Sequence, residues 1–110
     1  MKGRKVVRQY EAGERDFSRV RLRRADLEGA DLRGVDLSWA YLGEANLSGA
    51  NLAGANLMGC DLIKGDLSEA NLNEVNLRGA NLYQADVTSA QLAQAKTLTG
   101  ALMPDGSRHE

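Results

Sequence analysis

Residues 45–54 read Ala45-Asn46-Leu47-Ser48-Gly49-Ala50-Asn51-Leu52-Ala53-Gly54, one five-residue unit written twice. Working outward from it, a large apolar residue recurs at every fifth position from Phe17 to Leu92. The run has 16 members: 14 Leu, Phe17 and Val87. Two residues before each of these centres stands a small residue. It is mostly Ala, with Val20, Val35, Val75, Cys60 and Gly65 as variants and Arg15 as the misfit. Directly before the centre, 13 of the 16 residues are Asp or Asn; Arg21, Tyr41 and Gln91 are the exceptions. The two residues after the centre are mixed, polar and often Gly.

Neither standard element tolerates this period. Five residues of α-helix advance about 500°, a net turn of about 140°, so successive leucines would circle the cylinder and leave no stripe to bury. In an extended strand side chains alternate with period two, so leucines five apart would face opposite ways. The chain must turn once per repeat, always in the same sense. The centre and the small residue two before it then share the interior side. The result is a solenoid with one flat side per pentapeptide.

Ala25-Asp26-Leu27-Glu28-Gly29, Ala45-Asn46-Leu47-Ser48-Gly49 and Ala50-Asn51-Leu52-Ala53-Gly54 resemble the A(D/N)LXX unit of the pentapeptide-repeat family. The resemblance runs unbroken over residues 15–94. It implies an all-β fold, a right-handed quadrilateral parallel β-helix with four pentapeptides to a coil and therefore about four coils. With coils spaced like neighbouring strands, about 4.8 Å apart, the tower is roughly 19 Å tall. The number four and the hand come from the resemblance; the period does not supply them.

Leucines stack in columns twenty residues apart, such as Phe17, Leu37, Leu57 and Leu77, and the small residues fill the gaps between columns. Cys60 in a small slot reads as a core hydrophobe. Gly65 in the same kind of slot is expected to leave a methyl-sized gap. Both solenoid ends need covers, because open ends expose backbone edges. Residues 1–14 form the N-terminal cap: Val6, Val7 and Tyr10 have helical spacing and Gly13 is a stop signal. The β-helix occupies 15–94, and 95–110 form a C-terminal cap and tail. There Thr97 replaces a centre, Leu102 recovers it, Pro104-Asp105-Gly106 marks a turn, and 105–110 are expected to fray.

The 110 residues make one small domain, 43% hydrophobic and 26% charged, the balance of a folded soluble chain. No apolar run approaches the ~18 residues of a membrane span, and the basic N-terminus leads into no apolar stretch of a signal peptide. A single cysteine, Cys60, excludes an internal disulfide and fits a reducing, cytoplasmic setting. Cys60 and the lone histidine, His109, are the only nucleophile–base candidates, one in the core and one on the tail. No catalytic residue, metal ligand, cofactor site or small-molecule substrate is therefore expected. The sequon Asn46-Leu47-Ser48 arises from the repeat itself.

Charge is unevenly placed. Residues 1–24 hold nine Lys/Arg against three acidic residues, and residues 25–110 hold five against twelve. Outward aromatics are uneven too. Trp39 falls in the column of Arg19, and Tyr41 in that of Arg21. Ile63 and Tyr83 fall in the column of Arg23 and Gly43, and Met58 lies on the adjoining side. Trp39, Tyr41, Met58, Ile63 and Tyr83 thus converge on two adjacent sides, flanked by Arg19, Arg23, Lys64 and Arg78. The other two sides carry small or polar residues. The alternative to an interface is that these residues only stabilise the ladders by stacking, including an Arg19–Trp39 cation–π contact.

The reading that follows is a non-catalytic protein–protein interaction module. Its partner is an unknown protein or a second copy of the chain, met at the aromatic corner. Two alternatives stand beside it. The family resemblance implies one, mimicry of DNA toward a type II topoisomerase, for which Asp26, Glu28, Asp66, Glu69 and Asp86 offer a moderately acidic side. The other is nucleic-acid binding through the basic N-terminal end, which no motif supports.

Overall fold

The computed structural model describes residues 1–110, and its architecture follows from one corner repeated. At each centre the carbonyl accepts the N–H three residues on, as Leu22 does from Ala25 at 3.0 Å and Leu47 from Ala50 at 3.0 Å. The residue two after the centre is left-handed, whether it is Gly (Gly29, φ 67°; Gly49, φ 69°) or not (Trp39, φ 60°; Glu44, φ 58°). That is the signature of a type II turn, and it explains why Gly recurs in that slot.

Four corners bring the chain back over itself. Each residue before a centre pairs in parallel with its counterpart twenty residues on: Asp16 with Asp36, Tyr41 with Asp61, Asn56 with Asn76. Both halves of the rung are made, for example Leu37 N–H to Asn56 O and Asn56 N–H to Val35 O, each 2.9 Å. The fold is a right-handed, four-sided parallel β-helix. Inside, the centres from Phe17 to Leu82 are buried with the small residues between them. Cys60 is among these; its S–H points at Leu37 O, 2.8 Å away, and burial pushes its pKa up to about 12. Gly65 occupies the small slot with no side chain. A Cβ there would sit 3.1 Å from the Leu62 carbonyl oxygen, the acceptor of this corner's own turn bond, and 3.7 Å from Leu62 Cδ2.

The polar slot before each centre is also explained. Its side-chain oxygen accepts the N–H of the residue after the centre, as in Asp26 with Glu28 (3.1 Å) and Asn46 with Ser48 (2.9 Å). Where that residue is Ser and the slot holds Asp, the hydroxyl donates to the same oxygen. These bonds from Ser18, Ser68 and Ser107 hold the carboxyls of Asp16, Asp66 and Asp105 below the usual carboxylate range.

Helix α1, Gly3–Glu11, lies over the first coil. Val6 is fully buried against it, and the Tyr10 hydroxyl donates to the Arg33 carbonyl. Gly3 is where the helix touches: a Cβ there would come within 1.9 Å of the Asp26 carbonyl oxygen. Arg15, out of place in a small slot, is exposed beside the cap, with its guanidinium 3.6 Å from the centre of the Tyr10 ring.

The C-terminal end departs from expectation. The ladder does not run regularly to 94. Helix α2, Ser89–Ala93, interrupts it, opened by a capping box in which the Thr88 and Gln91 side chains each bond the other's backbone N–H. Leu92 stays buried, but Ala90 faces out. The Gln91 side-chain amide donates to Leu67 O (2.7 Å) and Ala70 O (3.0 Å), carbonyls on the coil beneath. The helical turn uses a different length of chain to round its corner, so the ladder resumes one residue out of step. Asn76 now pairs with Thr97 and Asn81 with Leu102. Lys96 and Thr97 both bond across to this level (Lys96 N–H to Val75 O, Leu77 N–H to Thr97 O), a bulge of two residues against one. Leu98 and Met103 therefore pack against the core in place of Thr97 and Leu102, and Ala101 is fully buried.

The tail does not fray. Beyond Pro104-Asp105-Gly106 it turns back, and Arg108 pairs antiparallel with Leu102. His109 N–H reaches Ala101 O and Gly100 N–H reaches His109 O, both at 2.8 Å. The returning strand takes up edge groups of the last coil that would otherwise invite another chain. With α1 at one end and this turn at the other, the molecule measures 37 × 23 × 23 Å.

Two substitutions test the ends by urea denaturation. Gly3→Ala must lift α1 from the coil and is expected to lose about 1.5–3 kcal/mol, the worth of burying Val6. Gln91→Ala removes the side-chain donor that stands at Ala70 O where other repeats place a backbone N–H, and is expected to cost about 1–3 kcal/mol. An unchanged midpoint in either variant contradicts the contact named for it.

Candidate interaction surface

The β-helix presents its outward side chains in columns, and the aromatic corner is the irregular part of them. Trp39, Tyr41 and Tyr83 are 49%, 52% and 41% exposed, while Met58 and Ile63 are half-buried. Trp39 occupies the left-handed slot, where a bulky side chain is unfavourable by about 1–2 kcal/mol relative to glycine. Its indole does not make the Arg19 contact of the stacking alternative. It lies against Gly59 one coil on, where a Cβ would come within 2.3 Å of Trp39 Cε3. Only glycine at 59 leaves that space. The cation that does approach a ring here is Arg21, with its guanidinium 6.0 Å from the centre of Tyr41.

Tyr41, Ile63 and Arg23 come together around a shallow hollow of about 260 Å³, completed by Gly43, Glu44 and Asp61. Arg23 donates to Glu44 Oε1 at 3.0 Å, and Arg24 reaches the same oxygen at 3.4 Å. The Arg23 hydrogen bond, helped by the Arg24 charge, holds the Glu44 carboxyl below its usual range. Arg23 is thus engaged within the chain, whereas Arg19, Lys64 and Arg78 are exposed and form no ion pair. Trp39 and Met58 lie on the adjoining side, joined by the Trp39 N–H to Met58 O bond at 2.8 Å. Tyr83 sits further along, with the turn of the tail beside it; a Cβ at Gly106 would be 3.4 Å from Tyr83 Cε1.

Gly43 falls in the column of Arg23, Ile63 and Tyr83 already in the sequence, whereas Glu44 and Asp61 were not legible as parts of this surface. The available signal was Tyr41, one of three residues that break the Asp/Asn slot. Its consequence appears only when the hydrogen bonds are traced.

Elsewhere the outward chemistry is sparse. The acidic column Asp26, Asp66, Asp86 is interrupted by Asn46, whose amide donates to Glu28 at 3.1 Å. Cys60 is buried and His109 exposed, so they do not form a pair. No group of three His, Cys, Asp or Glu side chains is placed to hold a metal ion. No helix is long and apolar enough to cross a membrane.

Comparison with known proteins agrees with this architecture. The family model described as pentapeptide repeats matches residues 16–38, 36–73 and 66–96, in eight copies. Among solved structures, a pentapeptide repeat protein from the Arabidopsis thaliana thylakoid lumen is 33% identical with a TM-score of 0.72, covering 87% of this chain and 66% of its own. HetL, a pentapeptide repeat protein involved in heterocyst differentiation regulation in the cyanobacterium Nostoc, is 41% identical, covering 86% of this chain and 51% of its own, with a TM-score of 0.47. QnrB1, a plasmid-mediated fluoroquinolone resistance protein, is 23% identical with a TM-score of 0.64, covering 74% of this chain and 38% of its own. The chain thus spans about two thirds or less of the length of each. No curated protein sequence matches it.

Trp39→Gly relieves the left-handed backbone but gives up the contact on Gly59. The two effects are of similar size, so stability is expected to stay within about 1 kcal/mol of the parent. A loss well beyond that in a denaturation curve makes Trp39 a structural prop and not a surface group.

Proposed function

The chain belongs to the pentapeptide-repeat family, and from that premise we propose that it is a non-catalytic protein-interaction module which docks a protein partner, or a second copy of itself, on its aromatic corner. One observation carries the reading. Trp39, Tyr41 and Tyr83, the three exposed large aromatics, lie on two adjacent sides of the tower, and Trp39 holds its place on unfavourable backbone. Trp and Tyr are enriched where binding energy concentrates, and an exposed apolar cluster on a small domain marks an interaction site. A scaffold whose coils are hydrogen-bonded throughout loses little freedom on binding, which favours affinity.

A second reading rests on the N-terminal end. Arg4, Lys5 and Arg8 are exposed on α1, with Arg19, Arg21, Arg23 and Arg24 exposed on the first coil. Such a cationic end suits nucleic-acid phosphates. DNA mimicry toward a topoisomerase ranks below both. Its acidic column is interrupted by Asn46, and the likeness to QnrB1 is one of fold.

A pull-down from host lysate, with the parent chain beside the double variant Trp39→Gly, Ile63→Glu, separates these readings. Capture at the corner is expected to vanish in the double variant and to survive rising salt. Capture that is lost to salt but indifferent to the double variant transfers the function to a charged surface.

A further inference from the structure

The hollow beneath Tyr41 contains a donor that the tower leaves unpaired. Around it the repeat's own bond is intact: Asp61 accepts from Ile63 N–H at 3.0 Å and Asn81 from Tyr83 N–H at 3.1 Å. Tyr41 has no such oxygen, so the N–H of Gly43 finds no acceptor in the protein, although Gly43 is buried. Arg21 leaves the same gap at Arg23, but Arg23 is exposed, where water serves. Gly43 is buried as a residue but lines the hollow, so its N–H is left to whatever occupies that hollow.

Gly43 has no conformational need to be glycine. Its φ lies outside the left-handed region, and a Cβ would meet only ordinary contacts: Ile63 O at 3.7 Å, Asp61 Oδ1 at 3.8 Å and Arg23 Cγ at 3.9 Å. Gly43 lines the hollow, and with no side chain there the hollow reaches its main chain. Two departures from the repeat, Tyr41 and Gly43, thus expose a single donor on the surface proposed above for docking.

The remaining groups select what enters. Asp61 Oδ1 is occupied by Ile63, while Oδ2 makes no hydrogen bond. Glu44 Oε1 takes Arg23 and Arg24 and leaves Oε2 free. The hollow therefore offers a donor at its floor and carboxylate acceptors at its rim, flanked by the Tyr41 ring and Ile63. A carboxylate entering it meets two carboxylates of like charge, and the one cation in the lining, Arg23, is already engaged by Glu44. An extended peptide finds no strand edge here, because the main chain of the neighbouring corners is already paired between coils, as at Leu42, Glu44 and Lys64.

We propose that this hollow receives the side-chain carboxamide of an asparagine or glutamine from a protein partner. The carboxamide oxygen accepts from Gly43 N–H, supplying the bond that Tyr41 cannot, and its NH2 group donates to Asp61. The proposal rests on the reading of the corner as a docking surface and names the chemistry that surface recognises.

The test is an NMR titration of the full, 15N-labelled chain with acetyl-asparagine N-methylamide. The aspartate and alanine counterparts, which share its main chain, serve as controls. The Gly43 amide proton is expected to move downfield and saturate with the asparagine compound, binding about tenfold more tightly than either control, the worth of one or two neutral hydrogen bonds. An equal response to the alanine compound makes the ligand a main-chain amide and overturns the proposal. An equal or stronger response to aspartate makes the hollow an anion site and overturns it too, as does a Gly43 signal that does not move.

A second variant keeps the test independent. Tyr41→Asn supplies the missing oxygen from within the chain. It is expected to raise the melting temperature and to abolish the Gly43 response; a variant that still binds the asparagine compound like the parent overturns the proposal. The two readings fail separately. Lysate capture that needs Trp39 and Ile63 but is unchanged in Tyr41→Asn retains the surface and removes the hollow's role. A Gly43 response without any capture removes the docking reading and retains the amide site.

Discussion

The tower depends on hydrogen bonds between coils, closing at an offset of twenty residues up to Asp86 and of twenty-one beyond it. A coil cannot satisfy its own backbone, because an extended segment with a corner every five residues has its main-chain groups directed along the tower axis. Those groups pair only if the next coil returns in register. The left-handed residue after each centre, the aliphatic centre and the polar side chain before it are three local means to that one end. The first turns the chain, the second fills the space the turn encloses, and the third pairs the N–H that the turn directs outward.

The same constraint explains why function is most readable where the repeat is broken. A residue that obeys the pattern is accounted for by the tower. Asp26, Asn46 and their counterparts accept a neighbouring N–H, and the acidity of several of them reflects Ser hydroxyls and not a ligand. Tyr41 is not accounted for in this way, nor is Gly43, nor is a tryptophan in a slot that suits glycine. All three lie on the two adjacent sides that carry the exposed aromatics. Arg23 and Arg24, which on charge alone suggest a free basic surface, are engaged with Glu44 within the chain.

The ends show how a solenoid stops. At one, α1 lays Val6 over the first coil and approaches so closely that position 3 admits no side chain. At the other, the chain makes a helical turn, slips by one residue and finally reverses direction, so that an antiparallel strand meets the last coil. An antiparallel partner consumes edge groups without offering a further parallel rung in register, and that limits end-to-end growth.

Period, core and the N-terminal helix were legible in the sequence. A step of five is incompatible with helix and strand alike, and hydrophobic burial acts on each centre independently of its distant neighbours. Val6, Val7 and Tyr10 likewise announce their own helical face. The slip beyond Asp86 was not legible, although Thr88 and Gln91 spell a capping box, because a five-residue pattern with Leu92 in place competes with it. Only the tertiary structure shows Gln91 using its side chain where its backbone has turned away. The direction of Trp39 depends on Gly59 a full coil away, and the carboxylate beside the unpaired N–H of Gly43 comes from Asp61, also on another coil, although the missing acceptor itself is Tyr41, two residues earlier. The sequence by itself determined the tower, because each pentapeptide repeats one local solution. The columns also placed the outward aromatics on two adjacent sides; the tertiary structure alone decided what each of them touches, because outward side chains turn toward neighbours on the coils above and below.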